Sequence, residues 1–240
     1  MKFRAWSGWK STSSAASLVA LTLQLSAGIS AQAQLAPAGV SSQPAMMDRE
    51  TEIALALSAC PPSLAEKAAI YILGTSGYVK IRDSGNGFTA IVQHSLPGAQ
   101  EPQCMDEGGA RSFLRRMLMV AALRAQGKSP EEVRRAVAAA IANGELQPPQ
   151  RPGVDYMLSK QNQIPNEKGV IVPFPPHVMF YGTSLTNADI GVDKSRLAAD
   201  GNPMGPAFVA GEGSPFALVI VPVGEHGGMT HDMPTGEIAP

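Results

Sequence analysis

The residues with the plainest chemical capacity lie near the C-terminus. In GEHGGMTHD, residues 224–232, Glu225, His226, His231 and Asp232 fall close together. Neutral imidazoles and carboxylates are the usual ligands of zinc and related ions, and the glycines at 227 and 228 would let the backbone fold around one ion. The four residues are therefore a candidate metal set, and a metal-dependent hydrolase is one reading of the chain. No HExxH or HxH spacing accompanies them, so a solvated tail, or a segment resting on the domain surface, is the competing reading.

A second constellation is HVMFYGTSLTNAD, residues 177–189. Polar groups leaving a strand end can line a pocket, which makes His177, Tyr181, Asn187 and Asp189 candidate ligand-binding residues. Asn187 and Asp189 are equally suited to organising the turn through side-chain to backbone bonds. A third, HSLPGAQEPQCMDEGG, holds His94, Cys104, Asp106 and Glu107. It could be a mixed metal site or a Cys–His pair, or a disulfide-bonded loop in which Asp106 caps the following helix. Arg111, Arg115 and Arg116 form a small basic patch, either an anion site or a solvated helix face.

Missing motifs narrow the enzyme readings. GTSLT and GTSGY lack the second glycine of a nucleophile elbow. AQGKSP places Ala122 where a phosphate-binding loop needs glycine. There is no CxxC and no CxxCH. Cofactor and reaction are therefore left open.

The N-terminus reads as an export signal: Lys2, Arg4 and Lys10, then the apolar SLVALTLQLSAG, then ISAQAQ with small residues at 31 and 33. The expected mature chain begins after Ala33. The apolar run is shorter than the ~20 residues a membrane span requires, and no later stretch reaches that length, so no transmembrane segment is expected. Without residues 1–33 the chain carries 16 Lys+Arg against 20 Asp+Glu, a net charge of about −4 that argues against a nucleic-acid partner. Cys60 and Cys104 are the two cysteines. An even pair in an exported protein points to one disulfide, with two buried thiols as the alternative.

Residues 34–44 read as a disordered arm, 45–223 as a single domain and 224–240 as a flexible C-terminal segment. AMMDRETEIALALSA predicts a helix, with Ile53, Ala56, Leu57 and Cys60 on one face and CPP ending it. Residues 69–94 alternate with period two between Gly- and Asn-rich turns, predicting an antiparallel meander with one covered face. A helix is expected from about Asp106 to Ala125, ended at Gly127. A second follows, with Ser129 as N-cap, Pro130 in the first turn and Glu132 closing a capping box. Its apolar stripe is Val133, Ala136, Val137, Ala140 and Ile141, and Asn143-Gly144 closes it. Further strands are expected at Val154–Leu158, His177–Gly182 and Phe216–Val223, with a long loop between the last two.

The phrases SGNGFTAIVQ, PQCMDEGGARSF and RPGVDYMLS resemble exported bacterial proteins with no known activity, over a stretch from about Thr51 to Val223. That resemblance implies export and a single domain, and it carries no site residue.

The expectation is thus an exported α+β protein, periplasmic or secreted. Its antiparallel sheet has about five or six strands, with two central helices packed on it and an N-terminal helix besides. A non-catalytic protein is the leading function: it binds a small molecule or a protein partner through the loop-rich C-terminal half. The alternatives are the metal-dependent hydrolase and a structural, envelope-associated protein.

Overall fold

The computed structural model describes residues 46–193 and 207–223. Helical segments precede or flank a large sheet, and their boundaries follow local chemistry. Helix α1 (Arg49–Ser58) starts at Asp48, whose carboxylate accepts from the Thr51 amide at 3.0 Å. Such a bond satisfies one of the unpaired N–H groups at a helix start. A short turn, α2 (Pro62–Ala65), follows the CPP stop.

The expected helix after Asp106 is a continuous helical run in three parts: α3 (Glu107–Gly109), a π-helical segment Ala110–Leu114 and α4 (Arg115–Ala125). Helix α5 (Pro130–Ala142) carries the capping box in full, with Ser129 and Glu132 each bonding the other's backbone. Gly127 and Gly144, just beyond the two helices, have φ of 77° and 81°. Those values suit glycine, which lacks the Cβ that makes the left-handed region costly.

The strands are β1 (Ala69–Gly74), β2 (Gly77–Arg82), β3 (Thr89–Gln93), β4 (Glu101–Met105) and β5 (Val154–Met157). They continue with β6 (Gln163–Pro165), β7 (Ile171–Pro173), β8 (His177–Tyr181), β9 (Phe208–Ala210) and β10 (Leu218–Pro222). Eight of them form one sheet in the order β2-β1-β3-β4-β5-β8-β10-β9, and β6-β7 is a separate hairpin. The fold class is mixed α+β with a mostly antiparallel sheet. The sheet is larger than the five or six strands expected. Strand β4 hides in the sequence behind Pro102 and two polar residues. It pairs with β3 along its whole length but with β5 only at Cys104 and Met105, so Pro102 sits where a ladder on one side suffices.

The first three strands do not form the expected meander. β1 and β2 are a hairpin, but β3 lies on the other side of β1 and runs parallel to it. The crossing is held from below by carbonyls at the end of α2. Gly85 N–H donates to Lys67 O at 2.7 Å, Asn86 Nδ2 to Leu64 O at 2.9 Å, and Arg82 to Ala65 O and Ala68 O. With those bonds made beneath β1, β2 is left at the sheet edge, and Val79 is 54% exposed.

Both faces of β3 and β4 are covered, where one covered face was expected. Ala90, Val92 and Cys104 pack with Leu55, Ala56 and Ala59 of α1. Ile91 and Met105, in the opposite phase, pack with Leu114, Met117 and Leu118 of the π segment and α4. The buried side of α1 is Glu52, Leu55 and Ala56, with Ile53 and Leu57 of the expected face only half-buried. The cause is Glu52, 1% exposed, whose Oε1 accepts from the Leu73 amide at 2.7 Å. Cys60 and Cys104 are disulfide-bonded, with Cα atoms 5.1 Å apart, joining the end of α1 to the middle of the sheet.

Candidate ligand-binding cleft

Strand registers place Gln103 and Met105 of β4, Asp155 and Met157 of β5, His177, Met179 and Tyr181 of β8, and Leu218 and Ile220 of β10 on one face of the sheet. Over the β3–β4 part of this face lie the π segment and α4. Over the β5–β8–β10 part lies a cavity of about 1590 Å3. Its floor is the strand face, with Met157, Met179, Leu218 and Ile220. One wall is α4 and α5, with Met117, Val120, Val133, Val137 and Ile141, and the other is the β6-β7 hairpin and its exit, with Ile164, Val172 and Phe174. Phe113, which packs on Tyr181 and Phe216, joins the lining from the π segment. π segments occur preferentially at functional sites. The cavity exceeds the roughly 300–1,000 Å3 of most small-molecule sites, and its apolar floor and walls are joined in the lining by charged residues, among them Glu101, Arg116, Arg124, Lys128 and Arg134.

Two polar floor residues are distinctive. Asp155 is 2% exposed and its Oδ1 has no hydrogen-bond partner among the described residues. Burial pushes its carboxyl well above the ordinary range; the Cys104 amide opposes this, and the nearby Asp106 carboxylate adds to it. His177 is 3% exposed. Its Nδ1 lies 3.0 Å from Pro175 O, so Nδ1 carries the hydrogen and Nε2 keeps a lone pair. Burial lowers its pKa, which the bond to Pro175 partly offsets. The imidazole is thus held neutral.

Beside this floor stands a lock that joins three sequence segments. Asp106 caps α3 by accepting from Gly109 N–H at 2.9 Å, and it accepts from Val154 N–H at 3.1 Å. The Tyr181 hydroxyl lies 2.9 Å from Asp106 Oδ1 and 3.0 Å from Val154 O. Burial, then the charges of Asp155 and Asp106, raise its pKa. Gly109 and Gly153 face the Tyr181 ring so closely that a Cβ on either would collide with it. DEGG and PGVD are therefore packing motifs.

At the far end of the cavity, His94 is 7% exposed. Its Nδ1 faces Ala99 O at 2.9 Å and its Nε2 faces Glu52 Oε1 at 3.8 Å. Glu101, raised by burial against the bonds from Ser95, lines the same end. Arg124 donates to the carbonyls of His94 and Ser95.

Of the residues singled out from sequence, His177 alone among the four ligand candidates reaches the cavity lining. Tyr181 is spent in the lock. Asn187, 3% exposed, bonds both backbone groups of Val209. Asp189 accepts from the Thr186 amide and hydroxyl at 2.8 and 2.7 Å, which organises the turn. In the third constellation, Cys104 is in the disulfide, Asp106 is a cap and His94 faces Glu52, so they form neither a metal site nor a Cys–His pair. Arg116 lines the cavity, while Arg111 bonds Glu107. Glu225, His226, His231 and Asp232 lie outside the described residues, as do residues 1–45. Among the described residues, no three His, Cys, Asp or Glu side chains are grouped to hold a metal ion, and no helix is long and apolar enough to cross a membrane.

The key floor residue, Asp155, was not singled out from sequence. Its signal was phase: an acid in step with Met157 on a strand whose inward positions should be apolar.

No known protein family, curated protein or solved structure matches the chain at a significant level.

Proposed function

We propose that this is an exported binding protein for a small, mostly apolar molecule, held between the α4–α5 wall and the β5–β8–β10 floor. The observation that carries the reading is the cavity itself: about 1590 Å3, with aliphatic, aromatic and Met side chains over most of its floor and walls and charged residues in the rest of its lining. Contiguous apolar surface of this extent is characteristic of ligand-binding grooves, and an apolar ligand would remove it from water. Met157, Met179 and Met117 suit such a role, because unbranched thioethers adapt to different shapes. The disulfide agrees with an oxidising compartment outside the cytosol. The binding region is the cleft, with His177 as the one retained ligand candidate, and no reaction is assigned to it.

The test uses anilinonaphthalene sulfonate as an apolar probe. The dye should bind saturably, one per chain, with enhanced fluorescence. Val137→Trp and Ala121→Trp, which place bulk in the cavity wall, should each reduce its affinity at least tenfold while leaving the circular dichroism spectrum unchanged. Dye binding that both substitutions leave intact would show that the cleft is not the site. A ligand found by thermal shift should raise stability by about 2.7 kcal/mol at a hundredfold excess over Kd.

A further inference from the structure

Given the binding reading above, on which this step rests, we infer that Asp155 is the polar anchor of the cleft, that it acts there as an uncharged acid, and that the ligand is an apolar chain or ring system bearing a neutral oxygen acceptor. The geometry supports each part. Asp155 is in the lining, directly across from Met179 in the β5–β8 ladder and two residues from Met157. Its Oδ1 is buried without a partner among the described residues, and an ionised carboxylate left so would lose several kcal/mol of hydration. Carrying a proton removes that cost and turns the oxygen into a donor.

The neighbours do not satisfy it. Gln103 Nε2 is engaged by Gln93 Oε1 at 2.6 Å. His177, two positions along β8 from Met179 and so diagonal to Asp155 on the same face, offers the Nε2 lone pair, an acceptor near a donor. A carbonyl or hydroxyl group matches that pair. An ammonium group does not fit the rest of the lining. Arg116, Arg124, Lys128 and Arg134 line the cavity against the acids Glu101 and Asp155, and burial pushes both acids toward their neutral forms.

The test is displacement of anilinonaphthalene sulfonate by three molecules matched in chain length: decyl methyl ketone, dodecylamine and dodecane. The ketone should displace the dye about tenfold more strongly than dodecane, the margin of one buried hydrogen bond, and more strongly than the amine. Asp155→Asn, which keeps a neutral donor in the same shape, should hold ketone affinity within about threefold. Asp155→Leu should lower it to that of dodecane. The wild-type competition needs no variant to fold. Preference for dodecylamine, with loss of that preference in Asp155→Asn, would make the anchor an ionised carboxylate and overturn the inference. Equal displacement by ketone and dodecane would overturn it as well while leaving the cleft in place. Failure of the dye to bind the wild type would remove the cleft reading and this one with it.

Discussion

Asp155 and Tyr181 show how the same face of one sheet holds both an unsatisfied polar group and a fully bonded one. Tyr181 is fully engaged, and its two facing glycines exist to make room for its ring. Asp155, one strand away, is engaged by far less. Its folded pKa is raised above the ordinary aspartate value of 3.8, chiefly by burial, which the Cys104 amide opposes and the Asp106 carboxylate reinforces. A raised acid stabilises the fold most fully below that unfolded value, and the contribution is lost as pH rises through the folded value. Asp155→Asn should therefore raise Tm at neutral pH, by about 2–4 °C for each kcal/mol recovered, and the gain should vanish as pH falls towards 4. Differential scanning calorimetry across that range checks it. A constant difference at all pH values would mean that ionisation of Asp155 is not the cause. His177 was visible in the sequence because it opens an apolar strand among other polar residues. Asp155 was not, because VDYM shows a single acid and only the register reveals which way it faces.

Among the elements, α5 was the most legible, and the reason is locality. Ser129, Pro130 and Glu132 determine its start within four positions, and Asn143-Gly144 its end, so no distant contact is needed to define it. Its stability should depend on that start. Ser129→Ala should cost about 1 kcal/mol, seen as a lower urea midpoint with an unchanged m-value. An unaltered midpoint would mean that packing on α4 alone holds the helix. The β1–β3 region was misread for the opposite reason. Each strand's alternation was visible, but the choice between a meander and a crossing depends on bonds from Arg82, Gly85 and Asn86 to carbonyls of Leu64–Ala68. Those bonds are contacts between segments, and SGNG looks like an ordinary hairpin turn without them. The π segment Ala110–Leu114 left no mark in the apolar spacing. It adds a residue to one turn, and the wide stripe of Phe113, Leu114, Met117 and Leu118 absorbs the shift.

For the whole molecule, the strongest constraint is the Cys60–Cys104 bridge, which closes a loop of 44 residues around β1, β2 and β3. On the loop-entropy account, a closure of that length is worth about 4 kcal/mol. Replacing both cysteines with serine should lower unfolding free energy by about that amount in denaturant titrations, and adding reductant to the wild type should reproduce the loss. A change below about 1 kcal/mol would show that the remaining contacts already restrict the unfolded chain. The pairing was legible from two cysteines and an export-like N-terminus. The cleft was not, because its floor and walls come from strands and helices spread from β4 to β10, and no one of them shows by itself that the others enclose it.

The strand order also dictates a sequence of assembly. From β1 outward, β3, β4, β5 and β8 can each join an edge already present as the chain emerges. β9 cannot: its one neighbour in the sheet is β10, which is synthesised after it. Until residues 218–222 take their place between β8 and β9, residues 208–210 have no strand neighbour and only Asn187 to bond the backbone of Val209. The floor of the cleft is completed by the same late event, since Leu218 and Ile220 belong to it. Closing the sheet and finishing the floor of the cleft are therefore one step.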